Sequence, residues 1–142
     1  MANVYQRGIS ILAVTAALIW SASASAEDKV VYHINDSENA TALLRNIGNH
    51  LDVDPTAKIV VVAHSKGVDF MMDKAEDKNG NPYNIGIEKL ISKGVTFDVC
   101  EITLKSRKME KTQFIPDLKF VPSGVAEITK LQSREGYAYL KP

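Results

Sequence analysis

Five short runs rich in β-branched and aromatic residues alternate along this chain with segments whose apolar residues recur at helical spacing. "KVVYHI" (29–34), "KIVVVA" (58–63), "VTFDVC" (95–100), "LKFV" (118–121) and "YAYL" (137–140) read as strands. After the first run, "NDS" supplies helix N-cap residues, and Ala40, Leu43, Leu44, Ile47 and Leu51 fall on one helical stripe. "NIGIEKLISKG" (84–94) reads as a helix with Asn84 as its cap, Gly94 past its end, and Ile87, Leu90 and Ile91 inward. "EITLKSRKM" (101–109) is a third helical pattern. "PSGVAEITKLQS" (122–133) is a fourth, capped by Ser123 with Val125, Ile128 and Leu131 inward. "KIVVVA" is apolar without interruption, as expected of a strand covered on both faces. Strand alternating with helix implies crossover connections and a largely parallel sheet. The expectation is a three-layer α/β/α sandwich, flavodoxin-like in size, with about five strands, mostly parallel.

In such a sheet the active edge lies at the carboxyl ends of the strands. Three loops should gather there: "NDSEN" with Asn35 and Asp36, "HSKG" with His64, Ser65, Lys66 and Gly67, and "CEIT" with Cys100.

The first 26 residues are set apart from this domain. Arg7 precedes the apolar stretch "GISILAVTAALIW", and "SASASA" then offers small residues before Glu27. That order of parts is a secretory signal peptide, and the apolar stretch falls short of the about 20 residues a spanning helix needs. Cleavage after Ala26 would leave one domain, 27–142, in the periplasm or secreted, with no membrane segment. The whole chain carries 17 basic and 17 acidic residues, so nothing in its charge calls for nucleic acid or an anionic membrane as partner.

"AHSKG" (63–67) has the outline of the turn that presents a catalytic serine in α/β-hydrolases. A serine nucleophile needs a histidine as base, which in that fold follows it in the chain. Here His33, His50 and His64 all precede Ser65, so the hydrolase reading fails. Ser65 and Gly67 then read as a polar turn, and His64 as either a pocket residue or a satisfied loop histidine. Three histidines and one cysteine at unrelated spacings make no metal site, and no cofactor is called for.

Cys100 is the one cysteine, so the chain forms no internal disulfide. It closes a predicted inner strand and precedes a predicted helix, where partial positive charge favours the thiolate. His64 and Lys66 would help if their loop lies alongside, and Glu101 would oppose. Cys100 also fits as a small buried residue at a strand end.

"CEITLKSR", the tail "VPSGVAEITKLQSREGYAYLKP" and "VVVAHSKGVDFMM" together resemble the DsrE/DsrF-like family across about residues 29–142. The resemblance implies an α/β/α sandwich with a five-stranded sheet whose last strand can run antiparallel, and a homo-oligomer, trimer or hexamer. It also implies sulfur relay through a persulfide at the position matching Cys100, with a protein as sulfur donor or acceptor. Some members lack that cysteine, so a non-catalytic oligomeric module that binds a small ligand is the competing expectation. A redox-sensing thiol is a third, and it needs an external resolving partner.

Overall fold

The computed structural model describes residues 27–142, so the leader read over 1–26 lies outside the described residues. The five strands are β1 (Lys29–Asp36), β2 (Lys58–Lys66), β3 (Thr96–Cys100), β4 (Lys119–Val121) and β5 (Ala138–Leu140). The four helices are α1 (Ala40–Val53), α2 (Tyr83–Ser92), α3 (Glu101–Arg107) and α4 (Gly124–Glu135). All strands pair in parallel in the order β4-β3-β2-β1-β5, and this includes β5 beside β1.

That order dictates the layers. From β1 to β4 the chain steps one way across the sheet, so right-handed crossovers place α1, α2 and α3 on one face. From β4 to β5 it steps back over the whole sheet, so α4 lies alone on the other face. The packing agrees. Leu43 and Ile47 of α1, Ile87 and Leu90 of α2 and Leu104 of α3 share a core with Val30, Ile34, Val61 and Phe97. Ile128 and Leu131 of α4 form a smaller cluster with Val31 and Val62. Alternation within each strand sends successive side chains to opposite faces, so His33, His64, Asp98 and Cys100 belong with the α4 face. Among the described residues no helix is long and apolar enough to cross a membrane.

Local details differ from the expectations at three points. The "NDS" cap serves a 3₁₀ turn first: Asp36 accepts from the Glu38 N–H, and α1 begins one turn later at Ala40. Asn84 is not the cap of α2. Pro82, extended at φ −69°, takes the cap position two residues earlier, so that α2 begins at Tyr83, and the Asn84 side chain donates to Glu88. Val125 does not point inward. Gly124, buried against Val62, His64 and Cys100, takes the inner place in the first turn of α4 with Ile128 and Leu131 following it, and Val125, one residue on, turns to the cavity side and is 59% exposed. Ser123 does cap α4, accepting from the Ala126 N–H.

Candidate functional site

Helices α3 and α4 leave the carboxyl ends of adjacent strands, β3 and β4, and depart to opposite faces of the sheet. A crevice opens where neighbouring connections diverge in this way, and ligands of open α/β sheets bind at such a point. Cys100 occupies it. The residue is 5% exposed, yet it lines a cavity of about 280 Å³ together with His64, Ser65, Thr103, Arg107 and Ser123. Gly124 makes the close approach of α4 possible. A Cβ there would lie 3.2 Å from Cys100 Cβ and 3.3 Å from His64 Cβ, tighter than ordinary contact.

The surroundings of Cys100 bring its thiol below the ordinary value. Burial alone pushes the Cys100 thiol up. Hydrogen bonds from the Gly124 N–H, the Thr103 hydroxyl and the Thr103 and Ile102 N–H groups outweigh it and bring the thiol below its ordinary value. These donors come from the first turns of both helices, where N–H groups lack intrahelical partners. The Thr103 hydroxyl accepts from the Ser65 N–H at 3.0 Å, which leaves its own proton for the sulfur. Thr103→Val therefore raises the thiol pKa and slows alkylation of folded protein several-fold at neutral pH. Thr103→Ser retains wild-type rates. Iodoacetamide kinetics against pH check both.

The three predicted loops do meet at this edge. Ser37 Oγ donates to the Lys66 carbonyl at 2.6 Å, joining the first loop to the second, and the Ser65–Thr103 bond joins the second to the third. His64 and Ser65 reach the Cys100 cavity. Asn35 and Asp36 do not line it: pairing with β2 shifts register between Ile34 and Asp36, and Asp36 turns to its 3₁₀ turn. Gly67 packs on the β1 backbone, and Lys66 is exposed. Hydrogen-bond donors, rather than a Lys66 charge, favour the thiolate.

Sequence reasoning does not single out Thr103, Gly124 or Arg107. Thr103 carries a signal, three residues after the cysteine in the first turn of a predicted helix. Arg107 lies one helical turn further on. Its Nη1 donates to the Ser65 carbonyl at 2.9 Å and to Asp69 at 2.6 Å, which fixes one guanidinium nitrogen and the Ser65 loop together.

Asp98, two residues before Cys100 on the same face, is 1% exposed under α4, and its Oδ1 has no partner among the described residues. Burial pushes its carboxyl up to about 6, with Lys119 and Lys130 pulling it down and Glu127 pushing it up.

The comparisons with known proteins agree with this architecture. The DsrE/DsrF-like family model matches residues 13–142. The chain belongs to the DsrE/DsrF-like family. Its structure is similar to that of MTH1491, a protein of unknown function from Methanobacterium thermoautotrophicum, with 29% identity and a TM-score of 0.73 over 82% of this chain and all of that one. The ychN protein from E. coli shares the fold at 15% identity and a TM-score of 0.69, over 81% of this chain and 99% of that one. No curated protein matches the chain. The family has a fold of the sulfur-relay type in general, and the five-stranded parallel sheet with four helices is this chain's version of it.

Proposed function

We propose that this protein is an exported sulfur carrier in which Cys100 holds a sulfane sulfur as a persulfide and hands it to a partner. The observation that carries the reading is the place of Cys100, lining the cavity between the first turns of α3 and α4 at the sheet's switch point, where their N–H groups and the Thr103 hydroxyl lower its thiol below the ordinary value. A thiolate held this way is the nucleophilic form. With thiosulfate as donor, the Cys100 thiolate attacks the outer sulfur. A new S–S bond forms, and sulfite leaves with the electron pair of the old one. The negative charge then rests on the terminal persulfide sulfur, beside Ser65, Ser123 and the first turns of α3 and α4 that line the cavity.

Ile102 and Val125, 60% and 59% exposed, flank the cavity mouth and suit an apolar partner surface. The family resemblance further supports a homo-oligomer, trimer or hexamer, and the sequence of residues 1–26 supports cleavage after Ala26. Light scattering and N-terminal sequencing of exported protein test these.

Incubation with thiosulfate or polysulfide followed by intact mass tests the central claim. Wild type should gain one sulfur, about 32 Da, which dithiothreitol removes, and Cys100→Ser should gain nothing. The competing reading, a binding module with a structural cysteine, draws on the low exposure of Cys100. It predicts no added sulfur and alkylation only on unfolding.

A further inference from the structure

A line of four side chains crosses the α4 face from the outer edge of the sheet to the Cys100 cavity. Tyr139 Oη on β5 lies 2.6 Å from His33 Nδ1 on β1. His33 Nε2 lies 2.7 Å from His64 Nε2 on β2, with the ring planes only 25° apart and their centroids 4.7 Å apart. His64 Nδ1 lies 2.9 Å from Ser65 Oγ, which opens on the cavity. The line spans two inter-strand spacings, about 10 Å.

Each link admits one proton, and a neutral imidazole carries one N–H and one acceptor nitrogen. The chain therefore has two complete arrangements. In one, Tyr139 donates to His33, His33 to His64, His64 to Ser65, and Ser65 into the cavity. In the other every bond is reversed, and Tyr139 donates outward. Passing between them moves a proton equivalent from one end to the other. Burial keeps both rings neutral. It lowers His64, helped by Lys141, and lowers His33 to about 4, with His64 and Lys141 contributing. The inner end is held firmly. Ser65 has φ +54°, a left-handed conformation unusual for serine, fixed by its N–H on Thr103 and its carbonyl on Arg107.

The geometry points to a proton wire: Tyr139, His33, His64 and Ser65 carry protons between the Cys100 cavity and the exposed edge of the sheet during sulfur transfer. This rests on the reading of Cys100 as the sulfur carrier. Discharge to a thiol shows the need: the terminal persulfide anion left by loading is a poor electrophile and must first take up a proton, brought in along the chain, to become Cys100–S–SH. The acceptor's sulfur bonds to the outer sulfur of Cys100–S–SH as the S–S bond to Cys100 breaks, and that electron pair stays on Cys100 as thiolate. The acceptor is left as R–S–SH, and its original thiol proton must leave the cavity. An acceptor filling the cavity mouth between Ile102 and Val125, a protein thiol or a small dithiol, shuts out water from Cys100, itself 5% exposed, while Tyr139, 40% exposed two strands away from the His64 strand, remains wet. His33 and Tyr139 are positioning residues that act through His64 and Ser65.

The test uses persulfide-loaded protein, dithiothreitol as acceptor, and the variants Tyr139→Phe and His33→Gln. Loading should be retained in both variants, while discharge at neutral pH slows about tenfold or more, within the range of general acid–base effects. Wild type should show a curved dependence of rate on D₂O fraction, reporting several protons in flight, and the variants a linear one. Unchanged discharge rates, or a linear dependence in wild type, overturn the wire. Proton–nitrogen NMR of the imidazoles gives a readout free of sulfur chemistry. One shared Nε2 proton should appear far downfield, persist in Cys100→Ser and vanish in His33→Gln. Its absence overturns the wire even where sulfur loads. Failure of wild type to load while that signal is present overturns the sulfur reading instead, and with it this use of the chain.

Discussion

Gly67→Ala should cost about 4 kcal/mol or more, enough to leave much of the population unfolded at 37 °C. The Cβ added there would stand 2.3 Å from the Ile34 carbonyl oxygen, 2.6 Å from its carbon and 2.9 Å from Asn35 Cα. All three are backbone atoms of β1, so no side chain can swing aside. Relief requires the ends of β1 and β2 to part where their register already shifts. That movement would pull on Ser65, whose left-handed backbone is held from both sides, and would draw His64 away from His33. Gly48→Ala is the matched control. It lies within α1 with nothing within 4 Å of the added methyl, so the same change should stabilise by about 0.5–1 kcal/mol. Urea denaturation of the two variants should give shifts of opposite sign. A Gly67→Ala protein as stable as wild type would mean that the strand ends are far more pliable than their packing implies.

The two glycines also show where reading the sequence stops. Alternation of strand and helix was legible because each period is local: "KIVVVA" for a strand covered on both faces, Leu43 and Ile47 for the buried side of α1. Cys100 at a strand end before a helix was legible for the same reason. The contacts that make the site were not. His33 and Tyr139 are 106 residues apart in the chain, and only the parallel pairing of β5 with β1 brings them together. Three exposed residues of "YAYL" carry no sign of which strand they join or in which direction. Val125 fits the spacing of Ile128 and Leu131, yet spacing cannot tell that Gly124 takes the inner place in the first turn of α4. The donors around Cys100 come from two helices that meet only because β3 and β4 are neighbours whose connections diverge. Asp98 is the clearest conflict between levels. A carboxylate sits mid-strand in "VTFDVC", where its neighbours are apolar, and nothing local announces that its oxygen goes without a partner among the described residues.

Asp98→Asn should change how stability depends on pH strongly, on the same scale as His33→Gln and with the opposite sign. Burial raises the folded carboxyl to about 6 against an ordinary value of 3.8. A raised acid favours the folded state when protonated, so its contribution is fully present below about pH 4 and is lost as pH climbs through 6. The loss amounts to about 3 kcal/mol, because a tenfold change in a proton-binding constant corresponds to about 1.4 kcal/mol. His33 runs the other way. Burial lowers it from 6.5 to about 4, so its contribution is present above 6.5 and is lost as pH falls toward 4, and His64, also lowered, adds in the same direction. In wild type the two trends oppose each other over one window, and stability should vary little between pH 4 and 6.5. Asparagine cannot ionise, so the variant keeps only the histidine trend and weakens steadily in acid. Relative to wild type it should gain about 3 kcal/mol between pH 4 and pH 7, roughly 10 °C in Tm at the neutral end. His33→Gln should tilt the profile the opposite way, leaving a protein that strengthens in acid. Denaturant titrations at half-unit pH steps read both slopes, and parallel profiles for wild type and Asp98→Asn would mean that Asp98 is solvated in the folded protein.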